Sequence, residues 1–233
     1  MKEKRIMKTL ATAAALTLVL CSGCRQIIYT ESPRAGHYYL NPRANFPSVG
    51  RVVLLELDNL SARQDLSESL TQTLADELSK RHLFSVQKVM RSEPIWQTMN
   101  LDAVKSHSLE DLAAIRQTFG ADAVLYGTIQ RYVSFPHLQT GLTLKLIDLR
   151  SGQLLWAFED VWDSTDKAVE RRMQSFFKEQ MRSGYEPMDW QILVTSPRAF
   201  ERFVAWEVAR TLPDLPHNAP VQTIEYRRRY LTP

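Results

Sequence analysis

At 233 residues, 44% of them hydrophobic and 24% charged, the chain is long enough to bury a core of its own and too apolar for a disordered charged tail. Its formal charge of +3 resides in the first residues, where Lys2, Lys4, Arg5 and Lys8 stand against Glu3, so the chain from Cys24 onward is close to neutral. A nucleic-acid binder needs a basic domain face, and nothing basic is left to supply one outside the terminal Tyr226-Arg227-Arg228-Arg229-Tyr230, a short run of the kind that is ordinarily solvated.

The basic start leads into the apolar run Leu10 to Leu20 and then Ser22-Gly23-Cys24. An apolar core of about a dozen residues is too short for a bilayer span of roughly 20, so residues 1–23 read as a signal peptide. Small residues directly before Cys24 resemble the lipobox of bacterial lipoproteins, in which the signal peptidase cuts ahead of a cysteine that is then acylated. Cys21 stands where that pattern prefers Leu, with Leu20 one position further back. Lipid attachment is therefore expected at Cys24, against the alternative of an ordinary secreted chain with a spare cysteine. With Cys24 acylated and Cys21 removed, the mature chain has neither thiol nor disulfide, and its core must stand on apolar burial.

Residues 24–48 show no sustained period and contain Pro33, Pro42 and Pro47, which predicts a tether reaching on the order of 70 Å when extended. Tyr38-Tyr39 could dock part of it on the domain. Val52-Val53-Leu54-Leu55 predicts a central strand buried on both faces. Leu66, Leu70, Leu74 and Leu78 then recur at helical spacing, and Ser85 to Met90 reads as a short strand, giving a crossover unit with two parallel strands. Arg91 to His107 is a loop or short helix. Ser108 and Asp111 open a further helix through Leu112, Ile115 and Phe119, closed by Gly120.

From Gly120 to Phe158 the period is two, predicting three antiparallel strands. Ala123, Leu125, Gly127, Ile129 and Arg131 share one face, opposite Val124, Tyr126, Thr128, Gln130 and Tyr132; Leu142, Leu144 and Leu146 oppose Thr143, Lys145 and Ile147. Asp148 to Gly152 supplies the second turn, and Leu154, Trp156 and Phe158 continue the apolar face. Asp163-Ser164-Thr165 is read as the cap of a helix burying Val169, Met173, Phe176 and Phe177, and Ser196-Pro197 as the start of one carrying Phe200, Phe203, Val204 and Val208. The fold class is α/β, a two-layer sandwich with a mixed sheet in a β-α-β-α-β-β-β core plus C-terminal helices. The expected divisions are a core domain at 49–183 and a C-terminal helical extension and tail at 184–233.

The run Gly120-Ala121-Asp122-Ala123-Val124-Leu125-Tyr126-Gly127 and the hairpin Asp148 to Trp156 are similar to a group of bacterial envelope lipoproteins. That group holds the curli-secretion lipoprotein, the lipoprotein activators of penicillin-binding proteins, and the N-terminal domain of the Tol translocation protein. The resemblance covers roughly Val49 to Phe177. It implies a two-layer α/β domain, anchored by lipid to the periplasmic side of a membrane, the outer one by preference. Such a domain binds other envelope proteins or assembles into rings, without catalysis and without nucleic acid. No pair of long membrane-inserting hairpin strands accompanies the core, which argues against a pore.

No chemical motif competes with this. The five histidines lie far apart, and no phosphate loop, nucleophile elbow or zinc set occurs, so neither metal nor cofactor is expected. Glu56, Asp58 and Asp122 could meet at strand ends, which keeps a hydrolase as an alternative. Tyr126, Tyr132 and Trp162, among Thr128, Gln130, Thr143 and Lys145, mix rigid aromatics with polar groups as a partner interface does. The competing expectation is that the tether or the C-terminal helix covers that face within the molecule. Trp156 and Phe158 are read as core.

Overall fold

A computed structural model describes residues 36–101, 108–181 and 189–214 of the chain; the signal-peptide segment, Cys24 and the basic tail lie outside them. The described elements are β1 (His37–Leu40), β2 (Arg51–Leu55), β3 (Asp58–Asn59), α1 (Leu66–Ser79), β4 (Ser85–Val89), α2 (Pro94–Thr98) and α3 (Leu109–Phe119). They continue with β5 (Ala123–Val133), β6 (Gln139–Asp148), β7 (Leu154–Asp163), α4 (Lys167–Phe176), α5 (Ile192–Thr195) and α6 (Pro197–Ala209). The strands form one mixed sheet in the order β1-β7-β6-β5-β2-β4, with β3 also pairing β5. The expected α/β architecture on a mixed sheet is what the chain adopts.

β2 lies parallel to both β4 and β5. Its four apolar residues alternate between two cores: Val52 and Leu54 join the larger, Val53 and Leu55 the smaller. The run is unbroken because helices cover β2 on both sides. The crossover from β2 to β4 steps outward along the sheet, while that from β4 to β5 steps back across β2. Two connections of one hand must therefore lie on opposite faces. Leu66, Leu70, Leu74 and Leu78 of α1 accordingly pack with Leu125, and Leu112 and Ile115 of α3 with Val124.

Local chemistry sets the element ends. The Ser108 hydroxyl accepts from the Asp111 N–H at 3.1 Å, and Gly120 closes α3 in the left-handed region at φ 57°. At the β6–β7 turn, the Asp148 carboxylate accepts from the N–H groups of Arg150 at 2.9 Å and Ser151 at 2.6 Å. The cap of α4 is Asp166, whose carboxylate accepts from the Ala168 N–H, and not the Asp163-Ser164-Thr165 run. Asp163 ends β7 instead and binds Thr165 there.

Two divisions read from sequence are corrected. The stretch expected as a tether contains β1, which pairs antiparallel with β7 from His37 opposite Glu159 to Leu40 opposite Trp156, so the sheet begins at His37. The C-terminal extension is no appendage: Phe200, Phe203, Val204, Ala205 and Val208 of α6 are fully buried in the larger core beside the aromatic residues of β7. Packed between sheet, α1 and α4, α6 is enclosed except along the face of Arg198 and Arg202, which explains why Glu201 and Glu207 are buried too.

Between Ile129 and Arg131 the β5–β6 register slips by one residue, with Ile129 opposite Leu142 and Arg131 opposite Gly141. Gln130 is the extra residue of a bulge, and beyond it the alternation of β5 inverts. Gly127 lies where β6 comes closest: a Cβ there would stand 2.1 Å from the Thr143 carbonyl oxygen. Gly127→Ala is expected to lower the thermal midpoint at least as much as Leu144→Ala. The latter empties a fully buried site at a cost of about 2–5 kcal/mol. Thr143→Ala, half-buried on the other face, should cost under about 1 kcal/mol, and urea titrations of the three variants check the order.

Candidate interaction surface

The three aromatics expected to share an interface do not share a face. Trp162 is fully buried on the α6 side of the sheet, where its indole N–H donates to Glu207 at 2.7 Å. Tyr132, carried to that same side by the bulge at Gln130, packs against the larger core, and its hydroxyl accepts from Arg63 at 2.7 Å. Tyr126 is buried on the opposite side in the smaller core, and burial pushes its hydroxyl up to about 12. Trp162 and Tyr132 thus lie on the side that α6 covers, whereas Tyr126 belongs to the smaller core of α2 and α3.

An uncovered region nevertheless exists, elsewhere on the same meander. The α2 and α3 layer reaches over β4, β2 and the first part of β5, where Trp96, Leu112 and Ile115 meet Val89, Val53 and Val124. The remainder of that face carries no helix among the described residues. Its rows follow from the pairing: Tyr126, Lys145, Ala157 and Tyr39 form one; Thr128, Thr143, Glu159 and His37 the next; Arg131, Gly141 and Val161 the third. Lys145, Glu159, His37, Gln130 and Arg131 are exposed, Thr143 and Ala157 half-buried. The Gln130 amide donates to the Thr143 hydroxyl at 2.6 Å, tying the bulge to β6. Sequence reasoning missed Tyr39, Ala157, Glu159 and Val161. Their alternation with Trp156, Phe158 and Trp162 was the available signal for β7, whereas β1 gave none, because its four residues are recognisable only by the partner they pair with.

Of the carboxylates considered for hydrolysis, Glu56 and Asp58 share Arg91 and Asp122 is kept apart from them. Glu56 accepts from the Arg91 N–H at 2.7 Å, and Asp58 pairs with the Arg91 guanidinium, which stacks on Trp96 at 4.7 Å. Asp122 sits at the other end of β2, roughly 15–20 Å away by strand rise, where its carboxylate accepts from Gly50 N–H at 2.9 Å and Arg51 N–H at 3.2 Å. Partial burial works against its ionised form, but those N–H groups and Arg150 outweigh it and hold the carboxyl below the usual range. Each acid closes a structural junction, and the sets do not converge on one point. Among the described residues no group of three or more His, Cys, Asp or Glu is placed to hold a metal ion, and no helix is long and apolar enough to cross a membrane.

Beneath the covered face runs a polar seam. Arg172 of α4 lies 3.3 Å from Glu207 of α6 and 3.9 Å from Asp160 of β7. Burial pushes Glu207 up to about 7 even against the pull of Arg172 and the Trp162 N–H. Because this folded-state value lies above the ordinary glutamate value of 4.5, the stability linked to Glu207 is fully present below about pH 4.5 and is lost as pH rises through 7. The thermal midpoint should therefore fall between pH 5 and pH 8, and Glu207→Gln should flatten that part of the profile in calorimetric scans.

Residues 61–174, from the loop before α1 into α4, match the model of a family described as putative lipoprotein GNA1162-like. No curated protein matches the chain in sequence. Among solved structures, it is similar to the PelC dodecamer from Paraburkholderia phytofirmans at 16% identity and a TM-score of 0.41, over 58% of this chain and 86% of that one. Lipoprotein GNA1162 from Neisseria meningitidis is similar at 19% identity and a TM-score of 0.40, over 58% and 98% of the two chains. The LpoB C-terminal domain from Salmonella enterica follows at 18% identity and a TM-score of 0.35, over 49% and 83%. The segment similar to the putative GNA1162-like lipoproteins takes in α1, β4, α2, α3 and the whole β5–β6–β7 meander.

Proposed function

We propose that the protein is a lipid-anchored lipoprotein of the bacterial envelope that works as a non-enzymatic adaptor or assembly factor, facing the periplasm from the outer membrane. The observation that carries the adaptor reading is the half-covered sheet. On one face, α6 buries the aromatic row of β7 completely, while the other face of the same strands is left open with Lys145, Glu159, Tyr39 and Val161 on it. A flat surface of mixed sign with a few apolar centres suits face-on contact with another folded envelope protein. The family match supports the lipoprotein part, and Ser22-Gly23-Cys24 gives Cys24 as the residue that would bear the acyl chains.

Lys145→Glu combined with Ala157→Arg changes the charge and relief of the open face without entering either core. The double variant is expected to keep the melting temperature while losing its crosslinked partner in intact envelopes; an unchanged crosslink pattern would remove the face from the mechanism. Retention of one crosslink, to a second copy of the chain, would favour the alternative of a ring-forming subunit. Mass spectrometry of the membrane fraction should show a mature chain that begins at acylated Cys24, and Cys24→Ala should move the protein out of that fraction.

A further inference from the structure

Phe135, Val161 and Leu60, three of the large apolar side chains left exposed, stand toward one end of the sheet. Among the described residues the large ones are Phe135 at 84%, Leu60 at 73%, Leu109 at 68%, Val161 at 53% and Tyr39 at 45% exposure. Phe135 stands on the β5–β6 connection, between Val133 and Gln139, which pair with each other. Val161 pairs with Gly141 near the start of β6, and the Leu60 N–H donates to the carbonyl of Ile129, just past the middle of β5. Tyr39, opposite Ala157, stands nearer the other end, where Leu109 lies against Gly152 of the β6–β7 turn.

Charge at this end is of a matching kind. From Ala123 through Ile147 the sequence has no Asp or Glu, and Arg131 and Lys145 are its cationic side chains. Of the acids on β7, Asp163 binds Gln139 and Thr165 and Asp160 lies beside Arg172, while exposed Glu159 stands further from the tip, opposite Thr143.

The route of the chain supplies the third observation. β1 runs from His37 opposite Glu159 to Leu40 opposite Trp156, so the polypeptide upstream of it leaves the sheet toward the Asp163 end of β7. That is the end on which Gln139, and with it the Phe135 connection, is paired. By strand spacing and rise, Gly36 and the Phe135 tip are roughly 15–20 Å apart. Only residues 25–35 separate Gly36 from Cys24, a reach of about 40 Å at full extension, well short of the 70 Å that a tether ending at residue 48 would give.

We infer that the β5–β6 tip is a membrane-contact site: Phe135 enters the headgroup and acyl boundary of the bilayer that holds the anchor, with Val161 and then Leu60 set further back along the sheet, and so fixes the orientation of the domain on it. The inference rests on the lipid-anchored part of the proposed function. An aromatic ring on a hairpin tip is suited to that zone, being apolar in its body and costing little backbone polarity to insert. The absence of carboxylates along the hairpin avoids repulsion by anionic lipid. With the tip down, the open half-face stands beside the membrane, available to a neighbour in the same leaflet.

The test uses the full-length lipidated chain in vesicles of phosphatidylethanolamine and phosphatidylglycerol that carry a headgroup nitroxide quencher. An environment-sensitive fluorescent amino acid is placed at exposed Ser134, or at exposed Ser151 on the far turn as a control. Strong quenching at position 134 with little at 151, reduced several-fold by Phe135→Ser, is the expected result. Equal quenching at both positions, none at 134, or quenching at 134 indifferent to Phe135→Ser would overturn the proposal. So would an effect of Phe135→Ser confined to crosslinking between copies. The acyl mass on Cys24 is read separately, which tells the two failures apart. Acyl mass without quenching at 134 leaves the anchor and removes the tip contact, whereas quenching at 134 without acyl mass does the reverse.

Discussion

The seating of α6 on the antiparallel half of the sheet is the constraint from which the rest of the molecule follows. The helix fills the space over β7 with Phe200, Phe203 and Val208, and its Glu207 accepts the indole proton of Trp162. A buried carboxylate is costly unless charged or donating partners surround it. Arg172 from α4 and the Trp162 N–H provide them, so helix, sheet and the neighbouring α4 are locked in one register. The second acidic residue of α6, Glu201, meets Arg63 at 3.3 Å and the Ser69 hydroxyl at 2.6 Å, fixing α6 to the start of α1 in the same way. Apolar area supplies the bulk of the attraction, and these two junctions decide the angle at which it is realised.

The bulge at Gln130 is the second determinant. Without it Tyr132 would fall on the side of the sheet that Tyr126 faces, beyond the cover of α3; with it, Tyr132 turns toward α6 and Arg131 takes its place beside Gly141. One inserted residue thus transfers an aromatic side chain to the core and leaves the distal open face to arginine, threonine and valine. A surface of that composition is soluble when alone and still has apolar points of contact, whereas a face holding Tyr126, Tyr132 and Trp162 together would be an adhesive patch.

Much of this fold could be read in the sequence, and the unread parts have a common reason. Val52 to Leu55, the leucine spacing of α1, the cap at Ser108 and the turn at Asp148 are specified by neighbours in the chain, and each stands where its local chemistry puts it. β1, the bulge and the face taken by Trp162 depend on residues far away: His37 needs Glu159, Gln130 is extra only relative to Leu142 and Gly141, and Trp162 is buried by a helix some forty positions later. Alternation along β5 gave the right faces up to Ile129 and the wrong one beyond, since a period of two carries no mark of a slip. The candidate surface was legible as a property of the meander, but its residues were not, because which half is open depends on where α3 ends and where α6 lies.

β1 gives the domain a mechanical property. The polypeptide reaches the sheet through four residues hydrogen-bonded to the edge of β7, with Gly36 packed close to the Phe158 ring and Asp160. Tension on the upstream chain is therefore borne first by this short strand. A pull along the strand loads all its hydrogen bonds in shear at once, while a pull across the sheet opens them one after another from His37. The domain resists displacement in the plane of its strands and yields by peeling when drawn sideways, and each peeled residue exposes the edge of β7 to whatever strand lies nearest.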